Sequence, residues 1–322
     1  MSTFLVTGAA GFIGSSIVDY LLSNNHVVVA LDNLSTGING NLDHLKQHPN
    51  IKNLQIIQGD IRALDTCQTA CKNVDYVLHQ AALGSVPRSI EDPALYNENN
   101  ITGTHNMLIA ARDNAVKRFV YASSSSVYGD TPTLPKIETM PPQPKSPYAV
   151  SKLTNEYHGK LFWDLYQLPT IGLRYFNVFG PRQDPQSQYA AAVPKFITAY
   201  LENTAPTIYG DGEQTRDFTY IDNVIHANIA ACNTTTKEAY GEAYNIGCGH
   251  RISINDLIKS IKNSTKSEIN PCYSPARAGD VRDSLADITK SHNLLGYTPR
   301  IALDQGLKQT IHWYRNQTVA TS

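Results

Sequence analysis

The sequence predicts an α/β fold: a Rossmann-type doubly wound parallel sheet followed by a smaller mixed α/β lobe. The first half of the chain alternates short apolar runs with segments of helical periodicity. A glycine-rich turn joins the first apolar run to the first helix, and small or polar residues end several of the later runs. Short buried strands separated by helices form right-handed βαβ units and hence a parallel sheet. Such sheets bind ligands beyond the carboxyl ends of their strands, so functional residues are expected there.

The elements follow in chain order. The pattern predicts strands in "TFLVTG", "HVVVALD", "NLQIIQGD", "VDYVLHQAA" and "VKRFVYASSSS", and helices in "GFIGSSIVDYLLSN" and "YNENNITGTHNMLIAARDN". After "LPTIGLRYFNVFG" short strands ("PTIYG", "EAYNIG") mix with helices, and "SINDLIKSI" opens with a Ser253 cap. We therefore expect a Rossmann domain over residues 1–174 and a smaller lobe over 175–322. The lobe shares a cleft with the domain, and some of the chain crosses back.

Composition excludes several classes of protein. The chain has 322 residues, of which 41% are hydrophobic and 17% charged, and its formal net charge is -1. It therefore lacks the basic field that holds nucleic acid or an anionic membrane. No apolar run approaches the roughly eighteen residues of a membrane span, and no basic leader with a cleavage site follows Met1. These features predict a cytoplasmic protein. Its five scattered cysteines predict free thiols, and neither they nor the histidines have metal-site spacing.

The turn "TGAAGFIG" predicts a dinucleotide site. Its glycines, Gly8, Gly11 and Gly14, allow a tight turn between strand and helix, and the helix N-terminus offers unpaired N–H groups to a pyrophosphate. Asp32 ends the second strand, where an acid grips the adenosine ribose and repels a 2'-phosphate, so NAD is favoured over NADP. The predicted cofactor contacts also include Phe12, Ile13, Asn33, Ser35, Thr36, Gly37, Asp60, Ile61, Gln80, Ala81 and Ala82.

The stretch "SPYAVSK" predicts a catalytic pair. Ser146 caps a helix that begins with Pro147, so Tyr148 and Lys152 lie one above the other on one face. A free tyrosine has a pKa near 10, and lowering it by three units takes about 4 kcal/mol. An exposed lysine supplies at most about 1 kcal/mol. The pair must therefore be desolvated and joined by another positive charge, such as an oxidised nicotinamide. Ser124, in "ASSSSVYG", is placed to orient a substrate alcohol.

Together these motifs resemble the extended short-chain dehydrogenase/reductase superfamily. Over essentially its full length the chain is similar to the UDP-hexose 4-epimerases. The segments "GSVPRSIEDP", "LRYFNVFGPRQDP", "GDGEQTRDFTYIDN" and "GDVRDSLADITK" resemble the branch acting on UDP-N-acetylhexosamines. One departure is Ala278 in "ARAGD", where an acidic residue is common, although Arg277 is kept.

The resemblance implies roles for individual residues. Ser124, Tyr148 and Lys152 would be catalytic, and Asn99, Tyr175 and Val178 would line the nicotinamide pocket. Epimerases restricted to UDP-glucose carry a tyrosine at the Ser284 position, so a serine there implies room for an N-acetyl group. The implied substrate contacts are Gly84, Ser85, Ser124, Ser125, Ser126, Tyr148, Asn177, Gln183, Phe196, Tyr209, Arg216, Arg277, Asp280 and Ser284.

The implied activity is an NAD-dependent 4-epimerisation of UDP-N-acetylhexosamines (UDP-GlcNAc and UDP-GalNAc, or their uronates) through a 4-keto sugar. NAD would be tightly bound and regenerated in each turnover. The alternatives are a UDP-glucose or UDP-glucuronate 4-epimerase, or a sugar-nucleotide dehydratase or decarboxylase. Ser125 and Ser126 stand where dehydratases carry an acid, which argues against elimination of water. A nucleotide-sensing regulator without chemistry is disfavoured by the Tyr148–Lys152 pair. The resemblance also implies a homodimer through helices of residues 95–113 and 147–167.

Overall fold

The computed structural model describes residues 1–37, 40–185, 191–276 and 281–320. The strands are β1 (Thr3–Thr7), β2 (Val27–Asp32), β3 (Leu54–Gln58), β4 (Tyr76–His79), β5 (Arg118–Ser124), β6 (Thr170–Tyr175), β7 (Val178–Phe179), β8 (Thr207–Tyr209), β9 (Thr215–Arg216), β10 (Thr219–Tyr220), β11 (Glu242–Ile246), β12 (Ile252–Ser253) and β13 (Cys272–Ser274). The helices are α1 (Phe12–Ser23), α2 (Gly40–Asp43), α3 (Leu64–Ala70), α4 (Val86–Glu91), α5 (Pro93–Tyr96), α6 (Gly103–Asp113), α7 (Pro147–Tyr166), α8 (Ala192–Leu201), α9 (Ile221–Asn233), α10 (Ile254–Thr265), α11 (Thr289–Leu295) and α12 (Leu303–Ala320). A π-helical turn, Asn97–Thr102, joins α5 to α6.

A seven-stranded parallel sheet forms the centre of the molecule, in the order β11-β6-β5-β4-β1-β2-β3. The order reverses at β1, which is the doubly wound arrangement predicted from the alternating pattern. The main sheet includes one strand from the second half of the chain. The run "EAYNIG", assigned above to the smaller lobe, is β11, and it pairs in parallel with β6 from Glu242↔Ile171 to Ile246↔Tyr175. Its last three residues are buried, so pairing in the main sheet covers an apolar strand that a short hairpin would leave half exposed.

The smaller lobe is built from two-stranded sheets and helices. Its strand pairs are β12 with β9 and β13 with β8, and a third pair, β10 with β7, lies where the chain leaves the main sheet. One hydrophobic core runs through both parts, from Phe4 and Ile17 in the Rossmann portion to Phe196 and Ile258 in the lobe. The lobe is therefore fixed to the sheet rather than tethered to it. No helix among the described residues is both long and apolar enough to cross a bilayer.

Two helix starts follow the capping rules. At α7 the Ser146 side chain accepts a hydrogen bond from the Ala149 N–H, and Pro147 takes the first helical position. At α10 the Ser253 hydroxyl accepts from the Asp256 N–H at 3.0 Å. A capping side chain satisfies a helix N–H that otherwise has no partner. Both starts were predicted from sequence, and the first one places the catalytic candidates.

Candidate active site

A cleft of roughly 1010 Å³ opens beyond the carboxyl ends of β1, β4, β5 and β6, between the sheet and the smaller lobe. The Rossmann part contributes the glycine turn before α1, the ends of β4 and β5, and the first turns of α7. The lobe contributes one face of α8 and the strands β8 and β9. A narrower pocket of about 90 Å³ continues from the glycine turn towards the end of β2.

The glycine turn has the geometry of an anion cradle. Gly8 has φ +66, and a side chain there would come within 2.8 Å of the Ala81 backbone, so only glycine fits. The N-cap of α1 is Gly11, and no side chain caps this helix. The first-turn N–H groups of α1 therefore face the cleft without a side-chain acceptor, which suits a pyrophosphate.

Asp32 lies in the narrower pocket with its carboxylate fixed on both sides. Its Oδ2 accepts from the Ala10 N–H at 2.9 Å and its Oδ1 from the Leu34 N–H at 2.7 Å. Each carboxylate oxygen retains a further lone pair, so two ribose hydroxyls find acceptors there. Gly37 lies beside this carboxylate, where any added Cβ would come within 3.0 Å of Asp32 Oδ1. The pocket thus fits an adenosine ribose with free hydroxyls.

Three buried or half-buried polar side chains form a closed hydrogen-bonded triangle beside the cleft. The Tyr175 hydroxyl donates to Gln80 Oε1 at 3.0 Å, and the Asn228 amide donates to the Tyr175 hydroxyl at 2.9 Å. The Gln80 amide completes the triangle at Asn228 Oδ1, at 3.1 Å. Gln80 and Tyr175 both line the cleft, so the triangle holds two predicted cofactor contacts rigidly in place.

Tyr148, Ser124 and Lys152 meet at the inner end of the cleft. The phenol of Tyr148 is hydrogen-bonded to Ser124, and its ring packs edge-on against Tyr96, with centroids 6.4 Å apart. Lys152 is only 4% exposed, its Nζ donates to the Ala122 carbonyl at 2.8 Å, and it lies 5.8 Å from the centre of the Tyr148 ring. The structure therefore brings together the three side chains predicted to be catalytic.

Burial has opposite effects on the two titratable members of this group. It raises the pKa of Tyr148, and the hydrogen bond from Ser124 opposes that rise without cancelling it. Burial also lowers the pKa of Lys152 to about 8. Both shifts favour the neutral forms, as expected for groups removed from water. The protein's own side chains therefore keep the Tyr148 phenol protonated at neutral pH. Forming the phenolate requires a further positive charge in the cleft, as the sequence argument anticipated.

The substrate side of the cleft is strongly cationic. Its described lining includes Arg88, Lys152, Arg182, Lys195 and Arg216, against one carboxylate, that of Asp184. Arginine and lysine at such a site suit a diphosphate, because charge-assisted hydrogen bonds to anionic oxygens are strong. Two backbone carbonyls orient Arg216: its Nη1 donates to Thr215 of the same strand and to Arg282 of the neighbouring segment.

Most of the predicted contacts line one of the two cavities. The larger is lined by Gly8, Gly11, Phe12, Ile13, Gly14, Thr36, Gln80, Ala82, Gly84, Ser85, Ser124, Ser125, Tyr148, Lys152, Tyr175, Asn177, Val178, Gln183, Phe196, Tyr209 and Arg216. The narrower pocket adds Asp32, Asn33, Ser35, Gly37, Ile61, Ala81 and Asn99.

A few predicted contacts lie elsewhere. The Asp60 carboxylate faces away from the narrower pocket and is bonded to Arg62 and Asn33. Ser126 lies behind Ser124 and donates its N–H to the Ser124 hydroxyl, outside the cleft lining. Ser284 is 9% exposed and donates its N–H to the Thr215 carbonyl of β9, and it is not among the described residues that line the cleft. Arg277 and Asp280 lie outside the described residues.

Asn228 and Lys195 are among the residues that sequence reasoning missed. Asn228, in α9, belongs to no motif, and its partners lie 53 and 148 positions away in the chain, so nothing local predicts it. The sequence around Lys195 contains a weak signal. With Ala192, Phe196 and Ala199 it forms an i, i+3, i+4, i+7 face of α8, and all four line the cleft. A lysine within such a face of small and aromatic residues indicates an anion site.

Comparison with known proteins agrees with this geometry. The NAD dependent epimerase/dehydratase family matches residues 4–247. A putative UDP-glucose 4-epimerase from Methanocaldococcus jannaschii is 40% identical over 314 residues, covering 97% of this chain and 98% of that protein.

Two solved structures extend the likeness to three dimensions. The UDP-N-acetylglucosamine 4-epimerase from Methanobrevibacter ruminantium, solved with UDP-N-acetylmuramic acid, superimposes with a TM-score of 0.92 at 41% identity, over 98% of this chain and 99% of that one. The UDP-glucuronic acid 4-epimerase from Bacillus cereus, solved with UDP-glucuronic acid and NAD, has a TM-score of 0.89 at 34% identity, over 98% and 99%.

Proposed function

The chain belongs to the NAD dependent epimerase/dehydratase family, as a UDP-sugar 4-epimerase, and we propose that its substrates are UDP-N-acetylhexosamines. The choice among sugars rests on the small, buried Ser284, whose N–H bonds to Thr215, the residue before Arg216 in β9. Support comes from the 41% identity to a UDP-N-acetylglucosamine 4-epimerase. UDP-GlcNAc and UDP-GalNAc are the substrate pair, and the C6-carboxylate forms of the same sugars remain within this class.

Each member of the proposed catalytic group has one task. Tyr148 takes the proton from the substrate O4 and later returns it, as general base and then general acid. Ser124, hydrogen-bonded to the Tyr148 phenol, orients the substrate hydroxyl towards it. Lys152, buried and held by the Ala122 carbonyl, places a cation beneath the phenol ring. The 4-keto sugar then turns within the cleft and presents its other face to the same residues.

The residues for the cofactor fit NAD. Gly8, Gly11 and the uncapped start of α1 would hold the pyrophosphate, and Asp32 would hold the adenosine ribose. Gln80 and Tyr175, locked by Asn228, would contact the nicotinamide end. When bound, NAD supplies the reversible oxidation at C4 and, while oxidised, a positive charge near Tyr148. Because the cofactor ends each cycle as it began, we propose that it stays bound between turnovers.

The position of Ser284 connects it to specificity through β9. The segment that carries it runs beside β9, because the Ser284 N–H bonds to Thr215 and the bridge between Thr215 and Asp283 fixes the register. Arg216, the next residue of β9, lines the cleft. A phenol ring at position 284 has no room in a close-packed lobe, so it must project towards the cleft or displace β9. Either change removes space on the side proposed for the acetamido group.

Dehydration is disfavoured by the acids present. Elimination of water needs an acid and a base in addition to the C4 chemistry. Among the described residues that line the cleft, the only carboxylate is that of Asp184. Ser125 lies at the start of the turn after β5, where a dehydratase by resemblance carries its acid. These residues support epimerisation without loss of water.

The quaternary structure that we propose is a homodimer through α6 and α7. On α7 the apolar side chains of Val150, Tyr157, Leu161 and Leu165 recur at helical spacing and are between 46% and 66% exposed. An exposed apolar stripe of this length on a twenty-residue helix indicates an interaction surface. Because α6 packs beside α7, a second copy related by a two-fold axis would form a four-helix contact.

Product analysis tests the proposed substrate. Purified enzyme is incubated with UDP-GlcNAc and, in parallel, with its C6-carboxylate form, and the products are identified by proton NMR at C4. The proposal expects the C4 epimer of at least one of these substrates with its acetamido group intact. Turnover of UDP-glucose alone would reject the N-acetylhexosamine assignment and leave the epimerase activity in place.

A further inference from the structure

A buried polar cluster lies one helical turn beyond Lys152, on the same face of α7. Its centre is Glu156, which is 8% exposed. Glu156 Oε1 accepts from the Ser123 hydroxyl at 2.5 Å and from Arg174 Nε at 2.8 Å, and its Oε2 accepts from Arg174 Nη2 at 2.7 Å. Tyr148, Lys152 and Glu156 recur every fourth residue of the helix, so their side chains face the sheet in a row.

The partners of Glu156 are the strand neighbours of two residues in the active site. In the pairing of β5 with β6, Ser123 lies opposite Arg174, and the next pair along is Ser124 with Tyr175. Glu156 thus binds both members of one cross-strand pair. Ser123 of that pair borders the cleft, as do both members of the following pair. A shift of α7 along the sheet would change the Tyr148–Ser124 separation and would also stretch these three hydrogen bonds.

The cluster continues away from α7. Arg174 Nη1 donates to the Tyr128 hydroxyl at 2.8 Å, and that hydroxyl donates to Asn245 Oδ1 at 2.6 Å. Burial lowers the pKa of Arg174, but the hydrogen bonds and charge of Glu156 outweigh burial and raise it above its ordinary value. The guanidinium is therefore permanently charged. The Glu156–Arg174 pair joins α7 to β6, and the hydrogen bonds around the pair extend the connection to β5 and β11.

We propose that Glu156 is a positioning residue for catalysis. Through Ser123 and Arg174 it fixes the position of α7 along the sheet, and so the distance between Tyr148 and Ser124. Neither Glu156 nor Arg174 is among the described residues that line the cleft, and Ser123, which borders it, donates its hydroxyl to Glu156. A buried ion pair costs desolvation energy and is therefore weak evidence for stability. It is well suited to fixing the position of a helix relative to a sheet. The proposal rests on the catalytic roles assigned above to Ser124, Tyr148 and Lys152.

A conservative variant and a matched control test this role. Ser123→Ala removes one hydrogen bond to Glu156 and leaves the Glu156–Arg174 pair intact. Thr170→Val removes the bond from the Thr170 hydroxyl to the Gly159 carbonyl, which also joins α7 to the sheet but at the end away from the cleft. Each variant deletes one buried hydroxyl, so losses of thermal stability are expected to be similar.

The test measures kcat, KM and the pH profile with whichever UDP-sugar the wild type turns over best. Because a misplacement of about 1 Å can cost roughly a hundredfold, we expect Ser123→Ala to lower kcat about tenfold with KM within twofold. The acid limb of the kcat/KM profile should move to higher pH, because Tyr148 is less well placed over Lys152. Thr170→Val should keep kcat and the acid limb.

Several outcomes decide the question. A kcat within twofold of wild type for Ser123→Ala, or an equal loss in Thr170→Val, overturns the positioning role. Glu156→Gln combined with Ser123→Ala should be no worse than Glu156→Gln alone, and additive losses would also overturn it. If Glu156→Gln does not fold, the comparison of Ser123→Ala with Thr170→Val carries the test. Tyr148→Phe is assayed alongside: an active Tyr148→Phe rejects the proposed mechanism, whereas an inactive one with normal Ser123→Ala rejects only the positioning.

Discussion

Replacing Tyr148 by phenylalanine separates a catalytic role of the phenol from a structural one. The substitution keeps the ring, and with it the edge-on contact with Tyr96. It removes the hydroxyl and the single hydrogen bond to Ser124. The loss of one such bond costs roughly 1 kcal/mol of folding free energy. Removing a general acid/base lowers turnover by about 10² to 10⁴, which corresponds to about 3–5 kcal/mol in the activation free energy. The expected effect on catalysis therefore exceeds the effect on stability several-fold.

The assay for Tyr148→Phe follows epimer formation chromatographically at saturating substrate, together with thermal unfolding and the nucleotide released on denaturation. Tyr244→Phe is the matched control, because it also removes a buried hydroxyl, bonded to the Ala239 carbonyl, on the sheet and away from the cleft. We expect Tyr148→Phe to lose at least a hundredfold in kcat with its bound NAD intact, and Tyr244→Phe to stay within about twofold. Turnover by Tyr148→Phe within a few-fold of wild type would contradict a catalytic role of the phenol.

Three further predictions concern the cofactor, the sugar and the assembly. The purified protein should release NAD rather than NADP on denaturation and need no added cofactor, because Asp32 repels a 2'-phosphate; recovery of mainly NADP would contradict this. Ser284→Tyr should lose turnover of UDP-GlcNAc and keep whatever activity exists on UDP-glucose; unchanged UDP-GlcNAc turnover would show that position 284 does not set the specificity. Leu161→Glu should convert a dimer to a monomer in analytical ultracentrifugation, because a charge in an apolar helix contact is costly; a wild type that is already monomeric would refute the proposed interface.

The sheet and the cofactor turn could be predicted because their signals are local. Short apolar runs predicted β1 to β5, and the capping serines Ser146 and Ser253 predicted the starts of α7 and α10. What an isolated strand pairs with is not a local property. The run that forms β11 looks like any short strand, and its partner β6 lies about seventy residues earlier in the chain. Its pairing partner therefore cannot be identified from the run alone.

The same reasoning applies to the site. Tyr148, Lys152 and Ser124 were found because their spacing and position after a strand carry chemical meaning. Asn228 and Glu156 act through partners on other elements, so their roles become visible only when the distances are known. Ser284 shows the reverse case. A motif identified the position, and the structure bonds its N–H to the Thr215 carbonyl of β9, so its proposed effect on the cleft is indirect.

The ratio of kcat/KM for UDP-GlcNAc to that for UDP-glucose decides whether the enzyme is an N-acetylhexosamine epimerase. Both sugars are presented to the same preparation of wild-type enzyme, and initial rates of C4 inversion are measured in each direction, with the uronate of UDP-GlcNAc as a third substrate. The account predicts that an acetylated substrate exceeds UDP-glucose by at least about tenfold, or ~1.4 kcal/mol in transition-state binding. A ratio at or below one for both acetylated sugars would contradict it.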